Sequence, residues 1–318
     1  MPNHASWDDE GTSSVLFTSD DPLGSDREAL MAKFFVVGHH LRPEIPGLVR
    51  RFHDWARGGG HAMWLSPTDA VALNLDEFAS DRSASEANLL ISLGGDGTVL
   101  RAVNMLDGNN VPVLAVNVGT LGYLTEVDPD RLVSSVVTWM TGREGVNWRA
   151  DRRMLLRVTS LDACEAHETR WRALNEVVLE RQSSGHTIWL DLSIDGHEFA
   201  TYSADGLIVA TPTGSTAYSL SARGPVVSPQ HRALLVTAVS PHMLFDRSLV
   251  LDPSELVHIT VVGTRSADLV VDGRRVVSVS PGGSITVGPD DAQASFIRFG
   301  PSLFHQIVRA KFGLGETE

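Results

Sequence analysis

Asn88-Leu89-Leu90-Ile91-Ser92-Leu93, running into Gly94-Gly95-Asp96-Gly97-Thr98, is the stretch that decides the fold. Its first six residues are mostly apolar and do not alternate, the pattern of a short strand covered on both faces. The glycines end the strand, and Thr98 to Leu106 predicts a helix. Val111 to Val116 then reads as a further strand. The same alternation occurs upstream. Phe34-Phe35-Val36-Val37 is a short buried strand, and Ala62-Met63-Trp64-Leu65 is another. Between them, Leu41 to Arg57 predicts a helix with Ile45, Leu48, Phe52 and Trp55 on one face, stopped by Gly58-Gly59-Gly60. Strands alternating with helices imply a parallel sheet with helices on its faces, so residues 31–130 read as an α/β domain.

After about Asp130 the texture turns to β. His186 to Ile194 alternates, with Ile188, Leu190, Leu192 and Ile194 on one face, and Asp195-Gly196 makes a hairpin turn. Leu269 to Val277 repeats that design around Asp272-Gly273. Leu234 to Val239, Val257 to Val262 and Ser284 to Val287 are further strands. Residues 131–300 therefore read as a β-rich, mostly antiparallel domain that binds substrate. Ser302 to Phe312 predicts an amphipathic helix carrying Leu303, Ile307, Val308 and Phe312, so 301–318 forms a terminal helical segment.

Bulk composition narrows the class. A chain of 318 residues suits two domains, and 42% hydrophobic with 20% charged residues is ordinary for a soluble globular protein. No apolar run approaches the roughly 20 residues of a membrane helix. The acidic, polar N-terminus is neither a signal nor a transit peptide, which leaves the cytoplasm as the expected compartment. Residues 1–30 hold seven acids against one base and show little periodicity, so they read as a disordered acidic extension. Met31, directly before the first strand, leaves a second start codon as an alternative. A net charge of −13 makes the surface a poor general binder of nucleic acid. The single cysteine, Cys164, excludes an intramolecular disulfide and a cysteine zinc cluster, and its polar neighbourhood gives no sign of a nucleophile. His39-His40 lacks a third ligand at helpful spacing, so no metal site is expected there. His242, after Pro241 in a loop, reads as structural.

Four motifs carry chemistry. Gly94-Gly95-Asp96-Gly97-Thr98 sits where a strand meets a helix, the place where open α/β sheets bind ligands. Glycines there let backbone N–H groups approach phosphate oxygens at a helix N-terminus. Asp96 repels anions, so its presence makes sense if it accepts a proton or organises a cation. No Gly-Lys-Ser/Thr and no G-x-G-x-x-G occurs, so a bound dinucleotide is a substrate rather than a redox cofactor. Asp205 to Tyr218 runs from a strand through a loop dense in hydroxyls, which suits a phosphate-sugar-base ligand, although a Pro-Thr-Gly turn with capping hydroxyls reads equally well. Asn117 to Leu124 again follows a strand directly. Asn175-Glu176 is a polar pair in an otherwise apolar strand, costly to bury without polar partners; taken alone, such a pair more often faces solvent.

Together these motifs resemble the NAD kinases. The matching pieces are GGDGT (94–98), NVGTLGYL (117–124), LNEVVLE (174–180), DGLIVATPTGSTAYSLSARGP (205–225), the DGRR turn (272–275) and FHQIVRAKFG (304–313), in the family's order from about Met31 onward. GGDGT alone is shared with lipid kinases and, more loosely, phosphofructokinases; the combination is far more specific. Arg101 resembles bacterial, particularly actinobacterial, members. The resemblance implies the NAD-kinase/diacylglycerol-kinase-like fold, with a Rossmann-like first domain, a β-rich second domain and a terminal helix returning to the first. It places the active site in a cleft between GGDGT and the threonine-rich loop. Asp96 would be the general base for the 2′-hydroxyl of the adenosine ribose of NAD, with ATP or polyphosphate as donor, Mg²⁺ as the accompanying cation and NADP as product. Asn175 and Glu176 would hold ribose hydroxyls, and Asp205 the nicotinamide side. Thr216, Ala217, Tyr218, Ser219, Leu220 and Ser221 would surround the adenine and its sugar. Contact is further implied at Gly95, Gly97, Thr98, Arg101, Asn117, Gly122, Tyr123, Thr213 and Gly214, and at His186, Ser203 and Arg274. Family members assemble as homodimers or homotetramers.

Tyr123 stands where phenylalanine is more usual, and His186 and Ser203 stand where the family is often basic, so the groups that neutralise the substrate pyrophosphate are open. The acidic extension has no counterpart in the family. Two other readings stay open from the residues: a lipid kinase with the same glycine loop, and a non-catalytic NAD(P) sensor. The hydroxyl-rich 211–221 loop weighs against the first, and the intact Asp96 and Asn175-Glu176 against the second.

Overall fold

Phe34, Val36, Leu89, Ile91, Leu93, Leu114 and Val116 point into one apolar core, and Phe35, Val37, Leu90, Val113 and Ala115 into another. Successive strand residues face opposite sides, so a sheet with a core on each side needs strands that are apolar throughout. The computed structural model in which this is seen describes residues 31–120, 122–161, 169–301 and 304–314. The expected acidic extension at 1–30, Cys164 and the Ser302-Leu303 start of the last helix lie outside the described residues.

The first half runs β1 (Lys33–Gly38), α1 (Ile45–Gly58), β2 (Ala62–Trp64), α2 (Pro67–Leu73), β3 (Leu89–Gly94), α3 (Asp96–Leu106), β4 (Val113–Asn117) and α4 (Leu132–Thr141). The four strands are parallel in the order β2-β1-β3-β4. Helix α1 begins four residues later than its periodicity suggests. Arg42 precedes Pro43 and is thereby pushed out of the helical region, whereas Pro46 suits the first turn, where its missing N–H costs nothing. Helices α2 and α4 are not apparent from the sequence. The first is a short helix capped by Ser66, whose hydroxyl accepts the Asp69 N–H at 3.1 Å. The second hides in a β-branched run, yet Leu132 and Val136 are buried in the core that holds Phe34 and Leu114.

The second half contains β5 (Arg149–Leu161), β6 (Thr169–Ala173), β7 (Glu176–Arg181), β8 (Ile188–Ile194), β9 (His197–Ala204), β10 (Gly206–Ala210), α5 (Tyr218–Ser221), β11 (Leu234–Val239), β12 (Leu249–Leu251), β13 (Val257–Val262), β14 (Ala267–Val271), β15 (Arg274–Val279), β16 (Ser284–Arg298) and α6 (Phe304–Lys311). Both Asp-Gly hairpins form, with positive φ at Asp195, Gly196, Asp272 and Gly273, as two-residue turns between twisted strands require. A six-stranded sheet, β12-β11-β10-β7-β14-β15, packs through Leu207 and Leu269 onto Leu190 and Ile259 of the other sheet.

Strand β16 is far longer than the expected Ser284 to Val287. Pro289 and the polar residues after it interrupt the alternation, and the register with β5 shifts between Pro289 and Gln293, but pairing resumes up to Arg298 opposite Arg149. Its last residues reach the parallel sheet, with Phe296 beside Val113 of β4. One strand thus carries Phe296, Ile297 and Arg298 from the antiparallel half to the edge of β4. Helix α6 buries none of its residues, yet the Phe304 ring lies 6.4 Å from that of Tyr123 and the Lys311 ammonium 5.0 Å from it. Among the described residues, no helix is long and apolar enough to cross a membrane.

Candidate active site

Strand β3 ends at Gly94, Gly95 precedes the helix, and Asp96 is the first residue of α3. The Asp96 carboxylate accepts the backbone N–H of Tyr123 at 2.9 Å and of Leu124 at 3.0 Å, one on each oxygen. This is possible because β3 and β4 are neighbours, with Gly94 opposite Asn117, so the loops leaving them run side by side. A Cβ at Gly94 would overlap the Thr98 side chain, which accounts for glycine at that position.

The threonine-rich loop forms a second wall. It leaves β10, passes a short 3₁₀ turn at Gly214–Thr216 and enters α5. Its hydroxyls divide into two sets. Thr211 donates to the Leu174 carbonyl at 2.6 Å, Ser215 donates to the Pro212 carbonyl at 2.7 Å, and buried Ser219 pairs with Thr237 at 3.3 Å. These hold the loop in shape. Thr213 and Thr216 (whose hydroxyl also donates to the Thr213 carbonyl at 3.3 Å) line, with neighbouring Ala217, a cavity of about 290 Å³ together with Asp96, Tyr123 and Asn175. Gly214 lies so close to the Asn175 carbonyl that a Cβ there would overlap it.

Asn175 and Glu176 are buried, Glu176 in β7 at the centre of the six-stranded sheet rather than on a solvent edge. Asp272, in the first position of the second Asp-Gly turn, accepts the backbone N–H of Leu174, Asn175 and Glu176 at 2.8, 2.8 and 3.2 Å. Burial, and then the nearby Asp272 charge, push the Glu176 carboxyl up to about 8, against one opposing hydrogen bond from the Tyr218 N–H. Burial also raises Asp272, but three amides oppose it. Glu176 Oε2 has no partner among the described residues. With three amide donors, Asp272 is the better placed of the two carboxyls to carry a charge.

The remaining expected residues are dispersed. Gly97, Arg101 and Arg274 line a separate depression with Asp272. The Arg101 guanidinium is engaged by buried Asp69, by the Gly38 carbonyl and by His40 at 2.8 Å. Asn117 lines a depression that shares Tyr123, Arg153 and Phe304 with the main cavity. Gly95 and Thr98 shape the first turn of α3, with the Thr98 N–H on the Gly95 carbonyl at 2.9 Å, and Gly122 abuts the Asp96 carboxylate. Asp205 pairs with Arg181 at 2.9 Å, and His186 lines another depression beside Arg181 and Arg265. The Ser203 hydroxyl donates to Thr187 Oγ1 at 3.2 Å. Of α5, Tyr218 and Ser221 are exposed, Leu220 half-buried and Ser219 buried; none of the four lines the main cavity.

Two basic residues in the main cavity are absent from the sequence-derived set: Arg153 and Lys311. Arg153 is one charge among several in the run Arg149 to Arg157, and Lys311 lies in the terminal segment FHQIVRAKFG, for which the resemblance implied no ligand contact. Neither has a local pattern that marks it. Between them they place positive charge in the cavity of Asp96, where the sequence had left the neutralising groups open.

Two family models match: the ATP-NAD kinase N-terminal domain over residues 61–143 and the ATP-NAD kinase C-terminal domain over 174–299. A protein of Heliobacterium modesticaldum named NAD kinase is 35% identical over 283 residues, 88% of this chain and 98% of that one. One of Gemmatimonas aurantiaca, also named NAD kinase, is 37% identical over 287 residues, 88% of this chain and 95% of that one. Among solved structures, yeast NADH kinase complexed with NADH superposes with a TM-score of 0.81 at 26% identity, covering 91% of this chain and 89% of that one. An NAD kinase from Archaeoglobus fulgidus in complex with ATP gives a TM-score of 0.65 at 25% identity, covering 88% and 97%. The chain belongs to the NAD kinase family.

Proposed function

We propose that this protein makes NADP by transferring the γ-phosphate of ATP to the 2′-hydroxyl of the adenosine ribose of NAD, with Asp96 as general base. The observation that carries this reading is the Asp96 carboxylate itself, oriented by two backbone amides on the wall of a cavity shared with Asn175, Thr213 and Thr216. A ribose hydroxyl is a weak nucleophile until a carboxylate takes its proton, a contribution of about 10²- to 10⁴-fold. The rest of phosphoryl transfer is alignment and charge neutralisation. Arg153 and Lys311 supply positive charge in the cavity, Asn175 lines it beside them, and Asn175 with its buried neighbour Glu176 would hold ribose hydroxyls. The relatives solved with NADH and with ATP support a dinucleotide acceptor and ATP as the donor; polyphosphate is an alternative donor. A lipid acceptor fits poorly in a cavity lined by Asp96, Arg153, Asn175 and Lys311.

Mg²⁺ fits as a companion of the donor phosphates. Among the described residues no group of three or more His, Cys, Asp or Glu side chains gathers to hold a metal, so the donor phosphates would provide most of its oxygen ligands. When bound, the ion would neutralise charge on the transferring group. The site belongs to the cleft between an α/β domain at 31–130 and a β-rich domain at 131–300. A homodimer or homotetramer in the cytoplasm completes the reading. Exposed Trp189 and Phe199, on β8 and edge strand β9, with Phe245 5.7 Å from Phe199, support self-association.

The test is a coupled assay with NAD, ATP and Mg²⁺, in which NADP is read by an NADP-specific dehydrogenase. NADP formation that disappears in Asp96→Asn is the expected result. Nucleotide binding without NADP formation would overturn the reading.

A further inference from the structure

Asp151 lies at the start of β5 and is 3% exposed. It lines the adjoining depression, not the cavity of Asp96. Its carboxylate accepts four hydrogen bonds: from Arg153 Nε at 2.9 Å and Nη2 at 2.6 Å, from Gln230 Nε2 at 2.7 Å and from Arg298 Nε at 3.2 Å. Each arginine then reaches a different wall of the cavity. Arg298 Nη1 donates to the Leu124 carbonyl at 2.8 Å, and the N–H of that same Leu124 donates to Asp96 Oδ1. Arg153 Nη1 donates to Thr213 Oγ1 at 3.2 Å.

Two buried guanidiniums thus share one carboxylate, and Glu126 lies 3.6 Å from Arg298 on the far side. Burial alone would raise the Asp151 carboxyl, but hydrogen bonds and charge from Arg153, then the charge of Arg298, hold it below the usual carboxylate range. The tie therefore stays charged at neutral pH. Without it, two like charges would remain buried side by side, with only Glu126 left to offset Arg298.

We infer that Asp151 is a positioning residue for phosphoryl transfer, tying the loop that aims Asp96 to the loop that presents Thr213 through Arg298 on one arm and Arg153 on the other. This rests on the reading of Asp96 as the base. The two arms carry different consequences. Disturbing the Arg298 arm moves Leu124, and with it the carboxylate that takes the proton; misplacement of about 1 Å at a reacting group can cost roughly 10²-fold. Disturbing the Arg153 arm moves a wall that contacts substrate in both ground and transition states.

The experiment compares Asp151→Asn, Arg298→Lys and Arg153→Lys in the full chain, each also combined with Asp96→Asn. Both lysine variants keep the buried charge, so they remain informative if Asp151→Asn fails to fold. Arg298→Lys is expected to lower kcat about tenfold with KM for NAD within about twofold, and Arg153→Lys to raise KM severalfold with a smaller change in kcat. Asp151→Asn shows both effects. In the Asp96→Asn background, Arg298→Lys costs no more than about a further twofold, because the group it aims is gone. The inference is overturned if the two lysine variants change kcat and KM alike, in proportion to their loss of thermal stability, or if the Asp96 and Arg298 losses multiply. If Asp96→Asn alone keeps its rate, it is the assignment of the base that fails, while the split between the two arms still tests the tie.

Discussion

Gly122 stands so close to Asp96 that a Cβ added to it would overlap carboxylate Oδ1 and lie 2.7 Å from Thr125 Oγ1. The lack of space for a Cβ is what demands glycine there. Gly122→Ala must push the carboxylate away from the Tyr123 and Leu124 amides. We expect kcat to fall at least about tenfold, with a loss of stability of about 1–3 kcal/mol for the overpacking. Steady-state kinetics beside a thermal melt checks both, and unchanged kcat would show that the carboxylate tolerates the shift.

Removing the charge and basicity of Asp96 is a cleaner change. Asp96→Asn keeps an oxygen for one of the two amides and nearly the same volume. The variant should fold and bind NAD by calorimetry, yet lose at least about two decades of rate, the lower end for removing a general base. A loss of NAD binding with no separate effect on turnover would give Asp96 a binding role instead.

Glu176 makes stability depend on pH. Its carboxyl is raised to about 8 in the folded chain by burial and then by Asp272, far above an unfolded value of about 4.3. The folded state therefore holds this proton more tightly than the unfolded state. Its contribution is complete below about pH 4 and is lost as pH rises towards 8. Glu176→Gln, which cannot ionise, should escape that loss. Relative to the unaltered chain, its stability should gain on the order of 4 kcal/mol between pH 5 and pH 9, a rise of roughly 10 °C in melting temperature. A gap that does not change with pH would mean that Glu176 is ionised throughout.

Lys311 reaches the cavity from a helix with no buried residue, held beside the Tyr123 ring at 5.0 Å. Its charge is placed to meet phosphate rather than to support the fold. Lys311→Met should raise KM for ATP or NAD about 3- to 10-fold, equivalent to roughly 0.7–1.4 kcal/mol, with a melting temperature within a degree or two. Lys311→Arg should recover most of the loss. Equal kinetics for Met and Arg would remove the charge from the mechanism.

Arg101 should behave differently. Its guanidinium is occupied by Asp69, which is 1% exposed and whose other oxygen, Oδ2, lacks a partner among the described residues. Arg101→Ala leaves a buried carboxylate short of its cation, a loss of about 3 kcal/mol or more. We expect a lower melting temperature with KM changed less than about threefold, and partial recovery when Asp69→Asn is added. A large KM change at unchanged stability would instead make Arg101 a ligand contact.

Local structure is settled by each residue together with its near neighbours, and that much was legible in the chain. The unalternating run before Gly94 specifies a doubly covered strand, Asp195-Gly196 and Asp272-Gly273 specify hairpin turns, and the glycine-aspartate junction specifies a helix start at a strand end. These rest on steric limits and on periodicity, which act over a few residues. Which distant groups meet emerged from the folded arrangement alone. It set Asp272 on the amides of 174–176, turned Ser219 inward to Thr237, gave Arg101 to Asp69, extended β16 to the edge of β4, and brought Arg153 and Lys311 to Asp96. A charged side chain carries no local mark of its partner, because the energy that selects the partner comes from burying both groups together, and that burial exists only once the sheets have paired.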